Sequence, residues 1–576
     1  MNTAFKNRFL RFRSKLLNNK SLTLAILFAV VFSAFLMFST VSYKDGSIMI
    51  NEKLWSDFQS HIPLIRSFSK GDNIPPEYPL YSGEKIRYHF LFYFLVGTLE
   101  RIGLRIDIAL NIMSTIGMAG LLIAIYLLAK KISKSKAVGW LSMIMLLLNS
   151  SFSWGYFFDK HTFGAHTFKE IINSTKFASF GPYDDQVVSA FWNLNIYTNQ
   201  RHLAFSFALM FLAVWAIVYS KKYKHALIGI VIIAMMSWMH KAILMILFIA
   251  LGFLFLTYSK KRKRIFLSTL AGGLATLPGL AYLNGNNGKG SGFNPGFIYD
   301  NTTWKEFKIE NDFLRWLAYW WLNLGILPFT ALLGWIEVHK ERLSKPKKVY
   351  IRIYKYFFCP QRVWLLIALF VFGIANIVAF AQDVSTNHKL INFSVMILNI
   401  YAAIFVVNLF RKNIFNKLIG VAIFLLLIMG GLFDIFPVIN DTHYYWNDIK
   451  NDPVSSWIDQ NTLPSDKFFN ATYNTSSVTI TGRKIYYGWD YFAWSMGYDM
   501  TKRNLEIQNM VTGLYDKNAA CEYFKQHDLR YILSEKVPSN FVNITPDPNY
   551  FDKNFTQVGP KDYPIKIYSV PKSCLL

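Results

Sequence analysis

Charged residues are scarce in this sequence. Only 17% of its 576 residues are Asp, Glu, Lys or Arg, against 53% hydrophobic and 17% aromatic, which is too apolar for one soluble domain and too long for one core. Cysteine is nearly absent, at three residues. No CxxC, HExxH or Cys/His cluster has metal-ligand spacing, so the sequence offers no structural zinc and no dithiol redox centre. No Walker motif occurs and no dinucleotide glycine pattern follows a strand, leaving nucleotide-driven and redox chemistry without support. Acids are the scarcer sign, 35 against 61 basic residues, for a formal net charge of +26. That excess would suit a nucleic-acid partner if it were spread over a surface, but it is segregated.

What the sequence has in quantity is long apolar runs. Stretches of about 17 to 25 residues, enough to cross about 30 Å of hydrocarbon, lie near 21–43, 105–129, 137–153, 202–220, 225–240, 241–258, 265–283, 313–338, 363–381, 391–410 and 418–437. The connections 1–20, 130–136, 221–225, 260–264, 339–362 and 411–417 hold 29 of the 61 basic residues and one acid, Glu341. By the positive-inside rule these six face the cytoplasm, which puts the N-terminus inside and, after eleven crossings, the C-terminus outside. The run KKRKR at 260–264 is then an orientation signal at the anionic inner leaflet and needs no nucleic acid. The apolar stretch after residues 1–20 is too long for a leader and has no clear small-x-small exit, so it is expected to stay as an anchor. The expected fold is an α-helical polytopic membrane protein of about eleven transmembrane helices over 1–437, with a small exported α/β domain over 438–576. Richness in Lys, Asn and Ile points to a bacterial inner membrane; an endoplasmic-reticulum membrane with a lumenal tail has the same orientation.

Residues 44–104, 154–201, 284–312 and the tail face outward on this topology. Segments this long between spans are where chemistry is sought, since short turns suffice as connectors. The tail mixes β-branched and aromatic runs, SSVTITG and KIYYG, with a helical stretch, AACEYFKQH. Cys359 is cytoplasmic, whereas Cys521 and Cys574 share the exported tail, where a disulfide would persist; two unrelated thiols are the alternative.

The first outer loop is the most informative stretch. Asp57 and His61 are spaced i, i+4, so a helix here brings both to one face. A carboxylate so placed can act as a general base; the plain alternative is a capped and solvated helix end. The stretch GDNIPP at 71–76 must break the helix, because Pro75 and Pro76 lack donors and restrict their predecessors. RYHFLFYFLVGTLE then has the aromatic, amphipathic pattern of an interfacial helix and carries His89, a candidate substrate contact.

Three further clusters lie at outward ends of spans. Gln200, Arg201 and His202 open the fourth span, where a guanidinium suits bidentate phosphate recognition, although interfacial arginines also snorkel to lipid headgroups. His240 and Lys241 fall at an outward turn, where orientation requires no cation. Asp383, Asn387, His388 and Lys389 precede the tenth span, with Asp383 and Asn387 at i, i+4; an N-cap with a Lys–Asp pair is the alternative.

A first outer loop that opens with an acid and continues into interfacial helices, within a chain of many spans, resembles the large membrane glycosyltransferases of the C-type fold. The architectural match covers roughly residues 1–440, and an exported tail is common in that superfamily. The resemblance implies that Asp57 deprotonates an acceptor hydroxyl while a polyprenyl phosphate leaves the anomeric carbon with inversion. Ser56 and Phe58 flank Asp57 where the superfamily often has an adjacent acidic pair. The expected partners are a polyprenyl-phosphate-linked sugar, a glycan, lipid or protein acceptor, and membrane lipid. No cofactor is implied, and a divalent ion held by Asp57 with Asp184 or Asp185 is conceivable but not required. A transporter or flippase for a lipid-linked or amphiphilic anion is the competing reading, since many helices and intramembrane cations describe that class too.

Overall fold

A computed structural model describes residues 19–181, 187–188, 190–283, 292–296, 298, 309–338, 349–380, 384–470, 476–534, 549–561 and 563–574. The chain divides into two compact units, one of Met1–Thr40, Ile112–Leu277 and Gly290–Thr442, the other of Val41–Asn111, Pro278–Lys289 and His443–Leu576.

The first unit is helical. Among the described residues, six helices are long and apolar enough to cross a bilayer: Lys20–Thr40, Ile106–Ser133, Arg201–Tyr219, Ser259–Leu283, His388–Phe410 and Ile414–Ile439. At about 1.5 Å per residue a 20-residue helix spans the hydrocarbon. The protein is therefore a multi-pass helical membrane protein. Four shorter apolar helices accompany these six, Lys136–Leu147, His225–Met239, Lys241–Thr257 and Val363–Ile377.

Helix His388–Phe410 is the core of the unit, buried along nearly its whole length. Its polar side chains reach backbone carbonyls of neighbouring segments: Asn399 donates to Met145 O at 3.0 Å, Ser394 to Ala368 O at 2.9 Å and Tyr401 to Gln361 O at 2.7 Å. Helix–helix contact in a bilayer favours small residues, which let backbones approach. Gly334 is such a position, since a Cβ there would fall 1.9 Å from Tyr401 O.

The apolar run at 313–338, expected as one span, is two helices, Asp312–Leu324 and Leu327–Glu337, set at 80°. Gly325 makes the break with φ +55, and a Cβ on it would lie 2.1 Å from Ser150 O. Hydropathy cannot register such a break, because both halves are equally apolar. The carbonyls freed at the end of the first half are capped by the turn after Lys136–Leu147: Ser150 Oγ donates to Leu324 O at 2.6 Å and Phe152 N to Leu322 O at 2.9 Å. The run expected to continue helically through 153 leaves the helix after Leu147 to do so.

The second unit joins the first outer loop to the tail. Val41–Lys44 and Ser47–Asn51 form a hairpin on Asp45-Gly46, both at positive φ as a two-residue turn of this hand requires. His443–Asn447 adds antiparallel to its second strand. Helices Trp55–Ser69 and Leu91–Arg101 follow the hairpin, with the Pro-containing segment between them as expected. Arg66, 2% exposed, meets Glu100 at 3.3 Å and Asp448 at 2.8 Å. Ser69 Oγ donates to Glu100 at 2.6 Å, and Tyr43 OH to Asp448 at 3.2 Å.

Residues of the tail build a five-stranded mixed sheet in the order Lys484–Ile485, Lys467–Asn470, Leu529–Ser534, Lys566–Ser569, Thr556–Gln557. AACEYFKQH lies in helix Lys517–Gln526 as its pattern implies. SSVTITG does not form the strand its β-branched residues suggest. Thr479–Thr481 is a 3-10 turn, because the Thr479 and Thr481 hydroxyls bond back to Ser476 O and Val478 O, three residues earlier. Of KIYYG, only Lys484–Ile485 pairs as strand. The loop after helix Trp55–Ser69 runs alongside: Ile485 N donates to Pro79 O, Ser82 N to Ile485 O and Gly488 N to Leu80 O. Arg503 lies 3.6 Å above the Tyr81 ring and donates to Ser82 O at 2.7 Å.

Cys521 and Cys574 form a disulfide with Cα atoms 5.6 Å apart, tying helix Lys517–Gln526 to the chain end. Reduction is expected to destabilise the full-length protein in detergent by about 2–4 kcal/mol, the contribution of a typical bridge, and so to lower its melting midpoint. A midpoint indifferent to dithiothreitol would mean that the bridge adds nothing.

Glu77 pairs with Lys484 at 3.4 Å and Lys467 at 3.5 Å and accepts from Gly83 N at 3.1 Å. Burial raises this carboxyl, but Lys484, the Gly83 N–H and Lys467 together hold it below its ordinary 4.5. A carboxyl lowered in the folded state stabilises that state above its ordinary value, and the contribution is lost as pH falls through the lowered one. Glu77→Gln should therefore cost stability at neutral pH and progressively less in acid. Midpoints that differ from wild type by the same amount at every pH would contradict this.

Candidate functional site

Three breaks in helical structure carry the basic candidates of the first unit. Gln200, at φ −95 and ψ 71, separates the short helix Asn195–Asn199 from Arg201–Val214, so that Arg201 and His202 begin the latter. His240, extended at φ −171 and ψ 105, separates His225–Met239 from Lys241–Thr257. The 3-10 turn Val384–Asn387 leads into His388–Phe410, which opens on His388 and Lys389. Each helix thus starts with a basic pair at or beside its first residue. None has an acid in its first turn.

A helix N-terminus carries the positive end of the macrodipole and unpaired N–H groups, which is a favourable place for an anion and an unfavourable one for a cation. Arg201, Lys241 and Lys389 therefore add to a potential that is already positive. The breaks also converge. The His202 and His240 rings stack at 5.5 Å, and the Lys389 charge acts on both His240 and His388. All of these side chains are buried except Lys241, which is half-buried.

Several candidates have structural partners. Arg201 Nη2 donates to Thr40 Oγ1 at 2.8 Å and Met37 O at 3.2 Å, and its Nε to Thr198 O at 3.2 Å. Asn387 Nδ2 donates to Ala375 O and Val378 O at 2.8 and 2.7 Å, so its amide fastens the turn to the preceding helix. His388 takes Asn392 at 3.1 Å on Nδ1 and stacks on Phe191 at 5.3 Å, while its Nε2 has no hydrogen-bond partner among the described residues. Gln200 Oε1 is likewise without one. Asp383, Asp184 and Asp185 lie outside the described residues.

Asp57, His61 and His89 belong to the second unit. Asp57 sits in the first turn of helix Trp55–Ser69, half-buried, and His61 follows one turn later, buried. The His61 ring stacks on Tyr93 at 4.6 Å, and the His89 ring lies 3.6 Å from Tyr88. Burial, then the Asp57 charge, pushes the Tyr88 phenol well above its ordinary value. For Tyr93, burial and then Tyr88 and Asp57 act in the same sense. Two phenols that stay protonated beside a carboxylate can donate to it while it holds or releases a proton.

An apolar cavity of about 340 Å³ lies between helices Ile106–Ser133 and Arg201–Tyr219, lined by Gly117, Gly120, Ala208, Leu212 and Trp215 among others. One residue escapes a reading that looks to loops, the buried Asp434 within helix Ile414–Ile439. Its signal is plain in retrospect, since it is the sole acid of a 26-residue apolar helix. Compared with models of protein families and with curated proteins, the sequence matches none.

Proposed function

We propose that the protein is a membrane glycosyltransferase that moves a sugar from a polyprenyl-phosphate-linked donor to an acceptor on the extracytoplasmic face, with inversion. The observation that carries the proposal is the convergence of basic residues at helix starts without any acid in their first turns. Such an arrangement suits a phosphate that gains negative charge as it leaves the anomeric carbon. His202, His240, Lys241 and Lys389 are the donor-phosphate ligands in this reading, with His388 and Gln200 beside them. Arg201 contributes field and holds the chain start of its helix. The apolar cavity along helix Arg201–Tyr219 supports an isoprenoid chain as the lipid.

Asp57 is the general base, with Tyr88 and Tyr93 setting its hydrogen-bonding surroundings and His61 behind Tyr93. This reading counts the four shorter apolar helices and the bent pair as crossings beside the six long helices, eleven in all, with the N-terminus in the cytoplasm and the α/β tail exported from a bacterial inner membrane. One observation favours the second reading, a transporter or flippase of a lipid-linked anion: the span broken by 80° at Gly325 is a feature of helices that line a passage.

The deciding assay is transfer of radiolabelled sugar from a panel of polyprenyl-phosphate sugars by the purified protein to membrane extract. Asp57→Asn, expressed normally, is expected to lose transfer by about 10²- to 10⁴-fold, the usual contribution of a general base. Transfer that survives this substitution would remove Asp57 from that role. Absence of product from every donor, with flux in proteoliposomes, would replace the enzyme by the transporter.

Lys389→Ala is expected to raise the donor KM more than it lowers kcat, the pattern of lost ground-state binding. Unchanged kinetics would separate the basic cluster from the donor.

A further inference from the structure

Asp434 lies five residues before the end of helix Ile414–Ile439, about 7–8 Å along the axis, and is 4% exposed. Its Oδ2 accepts from Asn149 Nδ2 at 3.1 Å and from Asn193 Nδ2 at 3.2 Å. Ser153 is linked to this carboxyl group through Ser151 and Asn149. Oδ1 has no hydrogen-bond partner, and no Lys, Arg or His pairs with Asp434 among the described residues.

Two carboxamides donating to one oxygen favour the ionised carboxylate. An ionised carboxylate in a membrane-spanning helix is costly unless a positive charge accompanies it. Among the described residues Lys, Arg and His do not supply that charge. Oxygen atoms cluster beside Asn149, the amide that donates to Asp434: Ser151 Oγ is 2.6 Å from Asn149 Oδ1 and 3.1 Å from Ser153 Oγ, which is 3.5 Å from Gly430 O, one helical turn before Asp434. Gly430 and Gly431 admit these oxygens to the helix surface. A Cβ at Gly430 would meet Ser151 Oγ at 2.4 Å and Asn149 Oδ1 at 2.5 Å, and one at Gly431 would meet Asn149 N at 2.4 Å.

We infer that Asp434, Ser151, Ser153 and the Gly430 carbonyl form an intramembrane site for a small monovalent cation of sodium type. One carboxylate balances one positive charge, and neutral hydroxyl and carbonyl oxygens complete a hard-oxygen shell. A calcium ion would call for six to eight such ligands, commonly with more than one carboxylate. The turn bearing Ser151 and Ser153 is also the one that caps the broken helix at Leu324, so an ion here would stiffen both.

The test is thermal unfolding of the purified full-length protein in detergent, titrated with sodium chloride against choline chloride at constant ionic strength. Sodium is expected to raise the midpoint saturably, as a ligand of the native state does, and choline is not. Asp434→Asn should abolish the response. Ser153→Ala, a milder change that keeps the fold measurable if Asp434→Asn does not, should raise the half-saturating sodium concentration about tenfold or more, as loss of a supporting ligand does at metal sites. Equal midpoints in sodium and choline would overturn the inference, as would a Ser153→Ala response identical to wild type. A midpoint that follows pH but no cation would also overturn it and assign the position to a proton.

Discussion

In a bilayer a backbone that leaves the helix has no water to turn to, so the protein itself must satisfy each polar group it frees. The turn 148–153 and the break at Gly325 meet this demand for one another. Ser150 and Phe152 cap the carbonyls that end helix Asp312–Leu324, while Asn149 O accepts from Gly431 N at 3.0 Å. Glycine at 325, 430 and 431 leaves room for that exchange. Side chains as small as alanine would push the segments apart and strand the groups they satisfy. The irregular elements of the membrane unit are thus mutually dependent, and the regular helices are packed around them.

The same economy governs charge. Arg201 is bound to Thr198, Met37 and Thr40, neutral acceptors for a buried guanidinium. Arg201, Lys241 and Lys389 place positive charge at the starts of their helices. Asp434 sits elsewhere in the same unit, with amides in place of cations. Arg66, by contrast, meets two carboxylates, those of Glu100 and Asp448.

Length and composition made the six long apolar helices legible, because crossing hydrocarbon demands apolar length whatever the packing. The i, i+4 spacing of Asp57 and His61 was equally readable, since helix Trp55–Ser69 depends on local sequence and ends where Gly71 and the following prolines stop it. The bend within 313–338 was not, since Gly325 is one small residue in a run whose hydropathy never falls. Nor were the partners of Arg201 and Asp434. Thr40 lies 161 residues from Arg201, and Asn149 lies 285 residues from Asp434, so only the tertiary fold can bring them together. SSVTITG misled for a related reason. β-branched residues favour strand only where a neighbour strand is available, and here their hydroxyls found closer acceptors.

The second unit draws its hairpin and helices from one end of the chain and its sheet from the other, with Arg66 fixing Asp448 across 382 positions. During synthesis the early half must therefore wait for its partner. Residues 112–442 are made in between, about 330 residues, which at roughly 5–20 residues per second is about 15 to 70 s. Throughout that interval strand Ser47–Asn51 lacks the neighbour it later has in His443–Asn447, and its hydrogen-bonding edge stays open. The order of biosynthesis thus makes the first loop the segment that a chaperone, or the membrane surface, has to hold.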